Sequence, residues 1–229
     1  MNAHRINEGL MPDLSNGKTT DFFFTEKEDP EEAVAEIVNL VQTKLSRYYQ
    51  TPSSQIQVLT PMQKGVVGAT NLNLALQAAL NPTGDGLRRS GYIFRVNDKV
   101  MQIRNNYDKE IFNGDIGIVA SVDIQGRTLQ VDFDGHLIEY DASELDELVH
   151  AYATTIHKAQ GSEYPIVVLP IVADYRYMLQ KRLVYTAITR AKKSLVLLGN
   201  REVFRRSLES NEHHTRKTTL LSRILAYNE

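Results

Sequence analysis

The chain has 229 residues, of which 42% are apolar and 24% charged, and its formal net charge is −2. This length holds one large or two small domains, and the apolar fraction is ordinary for a globular protein. Because the sequence contains no cysteine, disulfides, thiol catalysis and cysteine-ligated zinc or iron–sulfur sites are excluded. No stretch approaches the apolar run of about 18 residues that a membrane span needs, and residues 1–20 lack the layout of a signal peptide. We therefore expect a cytoplasmic protein with no membrane partner.

The first motif along the chain is Asn16-Gly17-Lys18-Thr19, which resembles the end of a phosphate-binding P-loop. The first glycine of the complete motif would fall on Pro12, and no apolar strand precedes it. Since Pro12 has no backbone N–H to donate to a phosphate, we reject a nucleotide site at this position.

Residues 22–80 show an alternation of strands and helices. A short strand is predicted at 22–24, a helix from the Asp29 cap to about Tyr49, a strand at 55–60 and a helix at 71–80. The spacing of the apolar residues predicts an inner face for each helix. In the first helix this face contains Val34, Ile37, Val38, Val41, Leu45 and Tyr48. In the second helix it contains Leu72, Leu76, Ala79 and Leu80. Thr60 ends its strand, where architectures of this kind place ligand contacts, although it could equally be a cap.

A different pattern follows the loops at 82–86 and 90–91. Short strands are predicted at 99–104, 116–122, 128–133 and 136–140, separated by glycine-containing turns typical of hairpins. Four or five short strands in so few residues predict a small β-barrel. Because α/β pattern flanks it on both sides, we predict one α/β domain, 1–86 and 148–229, with a barrel inserted at 87–147.

Two polar blocks, 153–163 (ATTIHKAQGSE) and 183–193 (LVYTAITRAKK), each stand beside an apolar run, 165–170 and 194–199. Such runs are typical of buried parallel strands, and ligands in open α/β sheets bind at the ends of the strands. The pattern therefore predicts a nucleotide- or phosphate-handling α/β domain. After a polar tail from Asn211, residues 220–225 have a short helix-like pattern.

Charge is distributed unevenly along the chain. Residues 175–206 contain nine Lys or Arg and one acid, Glu202, whereas residues 132–147 contain seven acids and no Lys or Arg. The basic run is compatible with a surface for a polyanion. Solvated helix or strand faces explain both runs equally well.

The block 155–163 (TIHKAQGSE) resembles motif V of superfamily 1 helicases, and 184–192 (VYTAITRAK) resembles their motif VI. Within that superfamily the chain is similar to RecD-like 5′→3′ DNA helicases, the group that includes the α-subunit of exodeoxyribonuclease V. The likeness includes 2–7 (NAHRIN), 58–62 (VLTPM) as the motif IV region, and 94–102 with 112–117, which look like the SH3-like insertion of that group. It implies a RecA-like, P-loop NTPase-type parallel sheet domain with an inserted SH3-like barrel.

The resemblance also implies roles for single residues. Arg190 would be the arginine finger that reaches the γ-phosphate of ATP, with Gly161 and Glu163 beside the nucleotide, and Glu163 would accept hydrogen bonds from the ribose hydroxyls. Thr60, Thr155, His157 and Lys158 would contact single-stranded DNA. Gln63-Lys64 stand where relatives often have an arginine in motif IV.

Members of this family carry the P-loop and the Mg²⁺-binding acids in a preceding RecA-like domain, which this sequence does not contain. The chain is therefore expected to be the C-terminal half of an ATP-dependent DNA helicase of repair and recombination, inactive alone. Its cofactors would be ATP and Mg²⁺, with the metal ligands in the preceding domain and none here. Its partners would be single-stranded DNA, that domain and, as candidates, DNA-repair proteins.

Two alternatives remain open. An RNA helicase or a relaxase-linked helicase of the same superfamily would differ in its contacts to the sugar 2′ position. A stand-alone module that binds single-stranded DNA or a protein through its barrel would bind tightly with residues 88–147 alone, although the acidic edge of the barrel argues against nucleic acid there.

Overall fold

The computed structural model describes residues 2–17, 20–209 and 227. Two predicted features therefore lie wholly or partly outside the described residues: the helix-like pattern at 220–225 and the Lys18-Thr19 end of the rejected P-loop-like motif. The first part of the chain forms α1 (Asn2–Asn7), β1 (Phe22–Glu26), α2 (Pro30–Asn39), a π-helical turn (Leu40–Lys44), α3 (Leu45–Tyr49), β2 (Ile56–Thr60) and α4 (Ala69–Leu80).

An antiparallel section follows, and the chain then returns to alternating strands and helices. The antiparallel strands are β3 (Gly86–Arg89), β4 (Tyr92–Arg95), β5 (Lys99–Gln102), β6 (Ile116–Asp123), β7 (Thr128–Phe133), β8 (His136–Asp141) and β9 (Leu148–His150). The last part forms β10 (Ala153–Thr155), β11 (Tyr164–Ile171), α5 (Lys181–Ile188), β12 (Ala191–Gly199) and α6 (Arg201–Glu209).

Residues 22–60 and 153–199 build one parallel sheet with the strand order β1-β12-β11-β2-β10. The central strands are buried residue after residue, from Ile166 to Ile171 and from Ser194 to Gly199, which requires cover on both faces of the sheet. Helix α2 packs with α4, while α1 and α6 pack with α5. The predicted parallel sheet is therefore confirmed, and its core runs continuously under these helices.

The helix that begins at Asp29 differs in detail from its prediction. The Asp29 side chain accepts a hydrogen bond from the N–H of Glu32, which is the predicted cap. A five-residue π-helical turn follows, and its extra residue rotates the side chains of α3 about the helix axis relative to those of α2. Leu45 is buried, but Tyr48, predicted to face inward, is 63% exposed.

The inner face of α4 was also predicted incompletely. Leu72 and Leu76 are buried as predicted, whereas Ala79 and Leu80 are only half-buried. The polar residues Asn73 and Gln77 are buried instead. The Asn73 amide accepts from the N–H of Ala153 and donates to its carbonyl, at 2.8 and 2.9 Å, so α4 is hydrogen-bonded to the edge strand β10.

The inserted section forms a five-stranded antiparallel sheet, β8-β7-β6-β5-β9, and a separate hairpin of β3 and β4. The sequence missed three of these strands, namely β3, β4 and β9, because each is only three or four residues long and β3 and β4 lie directly on either side of the turn at 90–91. Strand β9 takes the antiparallel sheet as far as His150. The insertion has its own core, centred on Phe94, Val119 and Tyr140.

A buried carboxylate, Asp98, joins the inserted section to α4 and to the strand that leads back to the parallel sheet. Five donors converge on its two oxygens: the Asn81 amide at 2.7 Å, the Tyr152 hydroxyl at 2.8 Å, the Gln77 amide at 2.6 Å, the Arg95 N–H at 2.8 Å and His150 Nε2 at 3.3 Å. Burial raises the pKa of Asp98, but the hydrogen bonds from His150, Arg95, Asn81 and Tyr152 outweigh it, so the pKa is lowered. The carboxylate therefore stays charged and fixes the insertion against the parallel sheet domain.

Candidate functional site

Thr60 and Thr155 lie side by side at the carboxyl ends of β2 and β10. Thr60 is fully buried, and its hydroxyl donates to the carbonyl of Val67 at 2.7 Å. Its own carbonyl accepts from the N–H of Ile156 at 2.9 Å. In this conformation Thr60 holds the loop before α4 and the turn after β10, and a direct contact to DNA would require the hydroxyl to leave its present partner.

The turn at 156–163 carries the next predicted residues. Ile156 and Ala159 are buried, whereas His157 and Lys158 between them are exposed. The Thr155 hydroxyl accepts from the N–H of Lys158 at 3.4 Å, and the Thr155 carbonyl accepts from the N–H of Ala159 at 3.1 Å. The apolar anchors and these bonds hold the imidazole and the ammonium toward solvent.

Gly161 lies at the exposed end of the same turn. Its φ is +90°, a left-handed conformation that favours glycine, while a Cβ at this position would meet no atom of the described residues within 4 Å. Glycine is therefore needed for the shape of the backbone, and the open space leaves the turn accessible from outside.

Arg190 and Glu163 lie near each other at the opposite end of the sheet, just before strands β12 and β11. The Arg190 guanidinium donates to the carbonyls of Thr186 at 3.2 Å and Ser162 at 3.0 Å and to the Thr189 hydroxyl at 3.2 Å. It thereby joins the end of α5 to the turn before β11. In this conformation it binds its own chain and is half-buried.

Glu163 is half-exposed and forms an ion pair with Lys192 at 3.0 Å. The hydrogen bond and charge of Lys192, and then the more distant charge of Arg190, hold the pKa of Glu163 below its ordinary value. A carboxylate acceptor and two cationic donors are thus grouped within one short stretch of surface.

The strand registers place these two groups of residues at opposite edges of the sheet. Thr60, Thr155 and His157 lie where the parallel strands end, the carboxyl edge, and Glu163 and Arg190 lie where the strands begin, the amino edge. Thr155 is level with Thr60, and Val58 is level with Val168. Strand β11 begins at Tyr164, so its start lies about six residues of strand, roughly 20 Å, from the level of Thr155. The turn at 156–163 crosses this distance between the two edges.

The loop at 61–68 adds a cation to the edge that carries His157. Lys64 is exposed, and its carbonyl accepts from the Tyr175 hydroxyl at 3.3 Å. The Gln63 amide instead donates to the Thr70 hydroxyl at 2.9 Å, which ties it to the first turn of α4. Relatives often have an arginine at this position. Here Gln63 is neutral, and Lys64 supplies a charged side chain that is exposed to solvent.

The basic run at 175–206 does not form one face. Arg176 and Arg182 lie near the carboxyl edge of the sheet, whereas Lys192 and Lys193 lie near the amino edge at the start of β12. On α6, Arg205 and its neighbour Arg206 form ion pairs with Glu202. The sequence could not show this division, because it depends on how α5 returns the chain from the end of β11 to the start of β12 at the other edge of the sheet.

Among the described residues, no three His, Asp or Glu side chains are placed to hold a metal ion. In the same part of the chain, no helix is long and apolar enough to cross a membrane.

Comparisons with known proteins agree with this arrangement. A family model described as "ATP-dependent RecD-like DNA helicase SH3 domain" matches residues 72–133, and one described as "UvrD-like helicase C-terminal domain" matches residues 150–198. The solved structure of the Pif1 helicase from Bacteroides in complex with ADP-AlF3 and ssDNA covers 99% of this chain and 53% of its own, with a TM-score of 0.52 and 14% identity. These matches define the fold as a RecA-like parallel sheet domain that carries an SH3-like insertion.

Sequence relatives narrow the class further. The ATP-dependent RecD2 DNA helicase of Deinococcus radiodurans is 41% identical over 172 residues, which are 75% of this chain and 24% of that protein. The RecBCD enzyme subunit RecD of Buchnera aphidicola subsp. Schizaphis graminum is 30% identical over 165 residues, which are 68% of this chain and 26% of that protein. The chain belongs to the RecD-like family of superfamily 1 DNA helicases. It spans about a quarter of the length of these relatives.

Proposed function

We propose that this chain is the second motor domain, 1–85 and 151–229 with the barrel inserted at 86–150, of a helicase that couples ATP hydrolysis to movement along single-stranded DNA. One observation carries the proposal. The turn at 156–163 presents His157 and Lys158 at one edge of the parallel sheet and ends at Glu163 beside Arg190 at the other edge. We take this turn as the connection that would carry a displacement from one edge to the other.

At the amino edge, the grouped side chains suit a nucleotide. The planar fork of Arg190 matches phosphate oxygens, and the Glu163 carboxylate can accept hydrogen bonds from ribose hydroxyls. The two backbone carbonyls that now bind the Arg190 guanidinium are neutral acceptors, so a negatively charged phosphate would compete for it. ATP would supply that phosphate, and Mg²⁺ with its ligands would be contributed by the preceding domain.

At the carboxyl edge, the exposed residues suit the backbone of a single strand. His157 offers a hydrogen-bond donor, and Lys158 and Lys64 offer positive charge, to phosphates, which fix position and carry no sequence information. Thr155 and Thr60 hold the two turns on which these side chains stand. When a nucleotide closes the cleft against the preceding domain, the turn at 156–163 would shift His157 and Lys158 along the strand.

The experiment is binding of the purified chain to labelled oligothymidine, followed by fluorescence anisotropy. Contacts from one motor domain predict a dissociation constant of roughly 10⁻⁴–10⁻⁶ M that weakens steeply between about 50 and 200 mM salt. The double variant His157→Ala/Lys158→Ala should bind more weakly and with a shallower salt dependence.

Lys193→Ala is the matched control, because Lys193 is an exposed cation at the amino edge of the same sheet. It should bind like the unmodified chain. Equal weakening by the control and the double variant, or no binding at low salt, would contradict the proposed DNA face. Nanomolar binding that resists salt would favour a stand-alone binding module.

A further inference from the structure

Beside the turn that carries His157, a surface pocket of about 300 Å³ opens at the carboxyl edge of the parallel sheet. Its walls come from that turn, from the segment between β11 and α5, and from the first turns of α5. The residues that matter for its chemistry are His157, Gln160, Tyr177, Gln180 and Arg182. Among the residues that the structure describes, no Asp or Glu lines it, and its volume is at the small end of ligand pockets.

Tyr177 stands at the rim of this pocket and is 77% exposed. Its position is not that of a loose loop tip, because the residues on either side are anchored. Tyr175 is 5% exposed and donates to the carbonyl of Lys64, and Leu179 is 1% exposed and donates its N–H to the carbonyl of Tyr175. The segment therefore holds an aromatic ring in solvent at a defined place.

Arg176 covers one side of the Tyr177 ring, with its guanidinium carbon 4.5 Å from the ring centroid, and donates to the Tyr177 hydroxyl at 3.3 Å. The guanidinium restricts the ring and adds a positive charge next to it. An apolar, polarisable ring that carries a cation and faces a pocket with two amide side chains matches a nucleobase: the ring stacks on its face, and amides can bond to its edge.

We propose that this pocket receives one unstacked base of single-stranded DNA, with Tyr177 stacked on the base and Gln160 or Gln180 at its edge. The inference rests on the proposed function, since it adds a base contact to the phosphate contacts assigned to His157 and Lys158. It gives the strand a holding point between steps that does not depend on phosphate charge. Because every base has a π face, the contact is tolerant of sequence.

The test measures binding of the chain and its Tyr177 variants to oligothymidine and to an oligonucleotide of the same length with abasic sites throughout. The abasic strand keeps its phosphates and has no base to stack. Tyr177→Ala should weaken oligothymidine binding about fivefold or more, the range for loss of one stacked base. Tyr177→Phe, which keeps the ring, should stay within about twofold of the unmodified chain on the same scale.

On the abasic strand, the unmodified chain and Tyr177→Ala should bind equally, because the two changes remove the same contact. Tyr107→Ala is the control: Tyr107 is 74% exposed but lies in the inserted section. It should leave oligothymidine binding unchanged.

Three results would overturn the inference. The first is unchanged oligothymidine binding by Tyr177→Ala while the salt-dependent binding of the proposed function persists, the result expected of a pocket that takes a protein neighbour. The second is equal weakening of binding to both strands by Tyr177→Ala, which would assign Tyr177 to the DNA backbone. Absence of oligothymidine binding by the unmodified chain would overturn the proposed function together with the inference.

Discussion

Replacement of Asp98 by asparagine is the most direct test of how the insertion is held. The two side chains have nearly the same shape, but an amide offers one acceptor oxygen where the carboxylate offers two. Asp98 receives five donors and is fully buried. The substitution therefore leaves at least two buried donors without an acceptor and turns an amide N–H₂ toward them.

Each buried donor without a partner costs about 1–3 kcal/mol, so two such donors cost about 2–6 kcal/mol. Part of this is offset because a neutral amide is cheaper to bury than a carboxylate. We expect a net loss of about 2–4 kcal/mol in the free energy of unfolding, a large share of the roughly 5–15 kcal/mol typical of a folded protein.

Urea unfolding followed by circular dichroism measures this difference. Asp123→Asn is the control, because Asp123 is an exposed carboxylate that accepts from two backbone N–H groups in a turn. It should cost less than about 1 kcal/mol. The pKa of Asp98 is lowered in the folded state, so its contribution should be present above the unfolded pKa, about 4, and lost as pH falls further. An Asp98→Asn protein as stable as the unmodified chain at neutral pH would refute the role assigned to the carboxylate.

Three further predictions concern charge and catalysis. Burial lowers the pKa of Lys99 from its ordinary value of 10.5 to about 7, so the unfolded state binds more protons between these values and the free energy of unfolding should rise from pH 7 toward pH 10. Lys99→Met should flatten that rise in urea unfolding, whereas the exposed Lys44→Met should not. The purified chain should hydrolyse no ATP in a phosphate-release assay, and Mg²⁺-dependent turnover would contradict its assignment as one half of a motor. If the proposed preceding domain completes the motor, Arg190→Ala in that two-domain protein should lower the DNA-stimulated kcat by about 10³–10⁵-fold, with little recovery in Arg190→Lys. The same variant should cost some stability, because the guanidinium bonds to the carbonyls of Thr186 and Ser162 are lost. An equal loss of kcat in Lys192→Ala would show that Arg190 and Lys192 act only through their overall positive charge, and not through a specific contact of Arg190 with the phosphate.

The sequence by itself determined the features that depend on neighbours along the chain. The apolar runs at 165–170 and 194–199 predicted two buried parallel strands, and Asp29 with Pro30 predicted the start of α2. The glycine-containing turns predicted the antiparallel section. Long ordered motifs also identified the family. These signals are local, since strand burial, helix capping and turn geometry are set by residues a few positions apart.

Only the tertiary structure decided which distant groups meet. The partners of Asp98 include Gln77 and Tyr152, separated from it by 21 and 54 residues. Arg190 binds the carbonyl of Ser162, 28 residues away, although the sequence suggested only a side chain that points into a cleft. Buried glutamine or an exposed, anchored tyrosine has no periodic signature, because each depends on what the fold brings beside it. The strand order β1-β12-β11-β2-β10 is the physical reason: it places residues from separate parts of the chain at the same edge of one sheet.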